Sequence, residues 1–233
     1  MKPAGPTLLL LAFLAVPLSA FGQEPLPPEG VEQAVPAPFA YSANGPGSGH
    51  GASAIGMGVL VSRRLAFPAL TVQYTHGLGE IVDFFIAADL GISTEEFGLL
   101  FFINPGVAVR VTGQRSSELG LALRASPEVV VLVGSGGGGA IFGATPGLVL
   151  STGSPKLQFS LGVDVPMYFG AIASFGGHAS GGTGGFAAAL RPYLALEAAV
   201  SPDIGLFLKV APLFFVSGSG GFLWLQVAAG VGF

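Results

Sequence analysis

Apolar and polar side chains alternate, residue by residue, along one segment of this chain after another. Between residues 81 and 92, for example, Val82, Phe84 and Ile86 share one parity, while Asp83 and Asp89 lie on the other. Successive side chains of a β-strand point to opposite faces, whereas a helix face repeats at every third or fourth residue. The alternation therefore predicts an all-β chain whose strands have one apolar and one polar face.

The apolar face needs an apolar solvent. Only 9% of the residues are charged and the mean hydropathy is +0.71, which leaves too few polar side chains to cover a water-soluble surface. The 38 glycines and 18 prolines argue against a bundle of long helices. Lipid is then the expected solvent.

Because lipid offers no partner to a free backbone amide, a spanning sheet must close on itself. We therefore expect a closed antiparallel up-and-down transmembrane β-barrel over residues 51–233. About ten strands fit this length, starting near residues 52–61 and 65–75, and eight remain if these first two segments do not span.

The charged side chains of these segments fall on the parity opposite the bulky aliphatic residues, and so are expected to face the lumen. The nine are Asp83, Asp89, Arg110, Arg124, Glu128, Asp164, Arg191, Glu197 and Lys209. One interpretation is a charged lumen that selects a solute. The other is an interior salt-bridge network, which we favour because small barrels are usually packed and the two signs nearly balance.

Some inward positions do not fit a uniform polar lumen. Phe207, Leu213 and Phe215 are bulky and apolar on the presumed inner face of their strand. Many others are small, and these two observations leave open whether the lumen holds a cavity or flattens and packs. The small inward residues include Gly98, Gly120, Ala122, Ser160, Gly162, Ala187 and Ala189.

The N-terminal 50 residues differ from the rest. Lys2, the apolar run from Leu8 to Val16 and small residues at Ala20 and Gly22 predict a signal peptide over residues 1–22, cleaved by signal peptidase between Gly22 and Gln23. Residues 23–50 are rich in proline, and we expect an extended periplasmic linker there. The chain has no cysteine, which suits an oxidising compartment.

The last strand alternates up to an aromatic C-terminus. One parity of residues 221–233 carries Leu223, Leu225, Val227, Ala229, Val231 and Phe233. This segment resembles the C-terminal signature of bacterial outer-membrane β-barrels, and in composition the chain is similar to small barrels of the OmpA, OmpX and OmpW type. The resemblance implies that Phe233 is an assembly signal read by the barrel-assembly machinery, and that the protein resides in outer-membrane lipid.

With the C-terminus on the periplasmic side, the connections sort by length. Residues 77–79, 113–117, 152–155 and 201–203 are then short periplasmic turns. The glycine-rich stretches at residues 134–139, 170–185 and 217–221 are then outward loops.

The sequence contains only weak matches to cofactor-binding and metal-binding motifs. Residues 134–139 fit G-x-G-x-x-G, but no helix start and no acid at the required distance follow, so we predict no cofactor. No histidine lies within five residues of another, which excludes common local metal motifs, and the net charge of −4 gives no footprint for nucleic acid.

We therefore predict no catalytic residue and no enzyme. The expected function is a structural envelope barrel or a narrow porin-like channel for small or apolar solutes. The alternative is a lipid-modifying enzyme at the barrel rim, for which His178 and Ser180 are the candidates.

Overall fold

A computed structural model of the chain describes residues 39–61, 66–93, 98–112, 119–134, 137–154, 156–175, 186–216 and 222–233. By contacts the chain forms two units, Met1–Ala34 and Val35–Phe233, and the described residues all belong to the second. The signal peptide predicted at residues 1–22 lies outside the described residues, as does the part of the predicted linker before residue 39.

The described residues form eleven strands. They are β1 (Gly51–Val61), β2 (Ala66–Gly77), β3 (Val82–Ser93), β4 (Gly98–Arg110), β5 (Leu119–Gly134), β6 (Gly137–Ser154), β7 (Leu157–Asp164), β8 (Met167–Phe175), β9 (Phe186–Ala199), β10 (Gly205–Val216) and β11 (Phe222–Gly232). None of these described residues belongs to a helix that could cross a bilayer.

The sheet closes into a ring. From β1 to β7 and from β8 to β11 each strand pairs antiparallel with the next one in the chain, and β11 returns to pair with β1 from Ala54↔Gly232 to Val61↔Leu225. The ring has ten positions, because β7 and β8 occupy one position between β6 and β9. The predicted all-β closed antiparallel barrel is confirmed, and the count is ten rather than eight.

One position of the ring is broken where the sequence reaches Val165 and Pro166. Proline has no backbone N–H to donate to a ladder, and β7 stops just before it. Pairing with both neighbours continues across the break, since Val165 N–H donates to Pro146 O (2.8 Å) and Ala189 N–H to Pro166 O (2.8 Å). The register of β6 against β8 also shifts between Ala140 and Gly143. The break therefore bends one position without opening the ring.

The two faces of the ring differ as the alternation predicts. Large apolar side chains are exposed all around the outside, as with Met57 (76% exposed), Phe159 (44%) and Leu208 (47%). Of the charged residues within the described strands, all nine are buried or half-buried on the inner face. The described charges outside strands, Glu80, Lys156 and Asp203, are exposed in connections.

The two ends of the ring carry different features. The end that we name the turn end holds the start of β1, the C-terminus and the β2–β3, β4–β5, β6–β7 and β9–β10 connections. Phe233 N–H donates there to Ser53 O (2.9 Å), and Ser53 N–H donates to Phe233 O (2.7 Å), which extends the seam to the last residue. The opposite end, the loop end, carries the β1–β2, β3–β4, β5–β6, β8–β9 and β10–β11 connections, whose residues lie outside the described ranges.

Candidate functional site: the barrel lumen

A segment of the chain lies inside the barrel at the turn end. We expected residues 23–50 to form an extended linker. Its described part, residues 39–50, instead packs against the inner wall, with Phe39, Ala40, Tyr41 and Ala43 at most 5% exposed. We name residues 39–50 the plug. A proline-rich segment builds no core of its own, but the short apolar run from Phe39 to Tyr41 can be buried by the wall around it.

Glu197 holds the plug by its backbone. The carboxylate Oε1 accepts the N–H groups of Ala40 (2.7 Å) and Tyr41 (3.1 Å), and Oε2 accepts Tyr41 N–H as well (3.2 Å). Hydrogen bonds to a charged acceptor are stronger than neutral ones. From β2, the Gln73 amide and the Thr75 hydroxyl donate to Ala40 O. The backbone N–H and C=O of Ala40 therefore both have hydrogen-bond partners on the barrel wall.

Arg110 joins the plug to the turn end. Its guanidinium donates to Ala43 O (3.1 Å), to Glu80 O (3.1 Å) and to the Asp83 carboxylate (2.9 Å). Asp83 also lies against Gly45, where an added Cβ would clash with Oδ2 and the φ of +58° disfavours any other residue. The ion pair of Arg110 and Asp83 therefore contacts the plug at two places, Ala43 and Gly45.

The small inward residues make room for the plug. Ala43 N–H donates to Ser151 Oγ (2.7 Å), which lies 2.8 Å from Ser160 Oγ. A Cβ added at Gly120 would clash with Asn44 Oδ1. The small inward residues left open whether the lumen holds a cavity or flattens. At this level it does neither, because the plug fills the lumen. The alanines packed around it are Ala52, Ala54, Ala122, Ala195, Ala211 and Ala228.

A second polar group lies nearer the loop end, around Glu128. This fully buried carboxylate accepts hydrogen bonds from Tyr168 Oη (3.0 Å), Asn104 Nδ2 (3.0 Å) and the Thr145 hydroxyl. Arg191 donates to it as well (3.3 Å) and lies 3.5 Å from Asp164. Such a network compensates the cost of burying the charges.

Besides Glu197, three of the predicted lumen charges, Asp89, Arg124 and Lys209, are in no ion pair among the described residues. Asp89 accepts from Gln226 Nε2 (2.6 Å). Arg124 donates to Tyr193 Oη (3.0 Å) and lies 4.0 Å from the centre of the Phe85 ring. Lys209 Nζ lies 5.2 Å and 5.9 Å from the ring centres of Tyr41 and Tyr193. Both cations therefore rest on aromatic rings.

A cavity of about 390 Å³ lies above the plug, and these three side chains face it. Tyr41 of the plug contributes to the wall of the cavity. Burial raises the pKa of its phenol, so the ring that Lys209 contacts is neutral. Towards the loop end the wall becomes apolar. The apolar residues there include Leu60, Leu100, Phe102, Val130, Leu213 and Trp224. The cavity thus has one charged and one apolar end.

Several lumen residues were missed from the sequence. Gln73, Thr75 and Ser151 lie on the inward parity of their strands, which was the available signal. Tyr41 carried no such signal, because the plug has no period.

The glycine-rich motif and the two candidate rim residues do not belong to the described lumen. Gly134 pairs with Gly137, so the described residues of G-x-G-x-x-G belong to the ends of the paired strands β5 and β6. His178 and Ser180 lie outside the described residues, and the rim enzyme stays a prediction. Among the described residues, no three His, Asp or Glu side chains are placed to hold a metal ion.

The chain matches no known protein-family model, and no curated protein shows significant similarity to it.

If Glu197 holds the plug, replacing it should loosen residues 39–45. In the Glu197→Ala variant, hydrogen exchange at Ala40 and Tyr41 should be at least about tenfold faster, because each amide loses a charged acceptor worth roughly 1.5–3 kcal/mol. Hydrogen–deuterium exchange mass spectrometry on micelle-bound protein measures this. Asp203→Asn, a change in an exposed turn at the same end, is the matched control and should exchange as the parent does. Unchanged protection in the Glu197 variant would contradict the assignment.

Proposed function

We propose that this chain is a bacterial outer-membrane β-barrel that acts as a sealed envelope barrel with an internal pocket, and not as an open pore or an enzyme. The observation that carries the proposal is the plug, which is held by Glu197 and Arg110 across the lumen at the turn end. A signal peptide at residues 1–22 would deliver the chain to the periplasm.

The outer face supports membrane insertion. Exposed apolar side chains encircle the ring, and a soluble monomer rarely carries a patch larger than a few hundred Å². Closure pairs the first strand β1 with the last strand β11, as lipid requires of a spanning sheet. Ten ring positions of this length suit tilted crossings of about 9–11 residues.

The turn end is proposed to face the periplasm. The C-terminus lies at this end, and we expect it in the periplasm. Connection length does not separate the two ends, since residues 111–118 join β4 to β5 at the turn end and only residues 135–136 join β5 to β6 at the loop end. Residues 39–50 enter the lumen from that same end, which agrees with a chain whose N-terminal part lies in the periplasm. The plug would then close the periplasmic opening.

Membrane location is testable in cells. The chain expressed in a Gram-negative host should be found in the outer-membrane fraction with Gln23 as its first residue, and should migrate differently on a detergent gel before and after boiling. Deleting Phe233 removes the two seam hydrogen bonds to Ser53 and the aromatic end, and should lower the heat-modifiable fraction severalfold. Phe233→Tyr, which keeps both, is the control. Recovery of the parent chain in the cytoplasm or inner membrane would contradict the proposal.

The seal is testable by conductance. The mature chain in planar bilayers should give no discrete current steps, because the plug fills the turn end. A variant without residues 39–50 should give such steps, since the alanine-lined space is then free for water. Asp203→Asn should stay silent like the parent. Discrete steps from the intact, heat-modifiable barrel, or silence from the equally folded deletion variant, would contradict the plug as a seal.

A further inference from the structure

We propose that the cavity above the plug binds an amphipathic monocarboxylate, with its carboxylate between Arg124 and Lys209 and its apolar part among the side chains near the loop end. This ligand class rests on the proposed function, since it assigns an occupant to the internal pocket of the sealed barrel. The volume of about 390 Å³ falls within the usual range of small-molecule pockets.

The charged end of the cavity holds two cations that lack a carboxylate partner within the described part of the chain. The two other lumen arginines are paired, Arg110 with Asp83 (2.9 Å) and Arg191 with Glu128 (3.3 Å). Arg124 and Lys209 contact the aromatic rings of Phe85, Tyr41 and Tyr193 instead. A cation on a ring is less well compensated than one on a carboxylate. These two groups are therefore available to an anion.

The acidic group of the ligand is assigned from the two cations that it would contact. Asp164 and Glu128 are in contact with Arg191, so Asp89 is the described carboxylate that faces the cavity outside an ion pair. Because Arg191 is shared by two carboxylates, the three cations and three carboxylates around the cavity balance, and the acidic group of the guest is assigned from the contacts that Arg124 and Lys209 offer. The planar guanidinium of Arg124 matches a carboxylate, and Tyr193 Oη, already bonded to it at 3.0 Å, lines the same site.

The apolar end sets the other half of the ligand. Leu60, Leu100, Val130 and Leu213 pack there as one cluster, and Trp224 stacks on Phe67 with ring centres 5.4 Å apart. Burying an alkyl or aryl group against them is favourable in proportion to its apolar area. A molecule with one acidic end and one apolar end therefore matches both the charged end and the apolar end of the cavity.

Trp224 is a built-in reporter, since it is the single tryptophan of the chain and lines the cavity. The probe is 8-bromooctanoate, whose bromine quenches tryptophan fluorescence on contact, added to the mature protein in vesicles of zwitterionic phospholipid. We expect saturable quenching by this acid and at least about tenfold weaker binding of 8-bromooctanol, which has the same chain without the charge.

The variants separate the anion site from a merely greasy cavity. Arg124→Gln and Lys209→Met should each weaken binding of the acid about tenfold and leave the alcohol unchanged, whereas Arg124→Lys should recover part of the loss. Lys156→Gln, which removes an exposed cation at the turn end, is the matched control and should bind as the parent does. Equal binding of acid and alcohol, or unchanged acid binding in both cavity variants, would overturn the proposal.

Insertion is scored on the same samples by heat-modifiable migration. A barrel that inserts and shows no charge-dependent quenching overturns the ligand assignment alone, and a chain that does not insert overturns the proposed function.

Discussion

Side chains on a β-strand point alternately to its two faces, and in this chain the two faces meet different surroundings all the way around a closed ring. Outward positions carry aliphatic and aromatic side chains, and inward positions carry the nine strand charges. Closure satisfies the backbone, because a closed ring has no edge strand whose amides lack partners. An apolar exterior and a lumen lined by polar side chains are two consequences of the same alternation.

Closing ten positions creates an interior that the strands alone do not fill. About eight strands leave just enough room for side chains, and ten leave more. Near the turn end, where wall residues are mostly alanine, glycine and serine, the plug occupies the space. Nearer the loop end, larger side chains and the Glu128 network narrow the lumen without filling it, and the cavity remains. Wall residue size thus decides which level of the lumen is filled and by what.

Burying nine charges is acceptable because most of them have partners. Glu197 receives backbone N–H groups of the plug, Arg110 bridges plug and wall, and Glu128 is surrounded by donors. Arg124 and Lys209 are the exceptions among the described residues, and aromatic rings take the place of anions. The other buried charges of the lumen have close polar partners. Two cations that face the cavity without a carboxylate partner therefore indicate what kind of molecule the cavity binds.

The ring was predictable because its signal is local and repeated. Each strand carries its own parity, so Asp83, Arg110 and Asp164 were placed inward without knowledge of any partner strand. The plug was not predictable, since residues 39–50 have no period and its contacts join residues more than 100 positions apart, as between Ala43 and Ser151. Phe207 breaks the inward polar pattern because it packs on Tyr41 of the plug, with ring centres 5.3 Å apart. The break of one ring position at Pro166 was also missed, because the pairing that spans it is set by β6 and β9.

The most direct test of the central claim uses the absence of cysteine, since single cysteines can be introduced one at a time along β10. Spin labels at positions 206 to 211, in protein reconstituted into vesicles, report collisions with oxygen dissolved in lipid and with a water-soluble nickel chelate. The account predicts strong oxygen accessibility at 206, 208 and 210 and weak accessibility at 207, 209 and 211. A period of three to four residues, or uniform access to the nickel chelate, would contradict it.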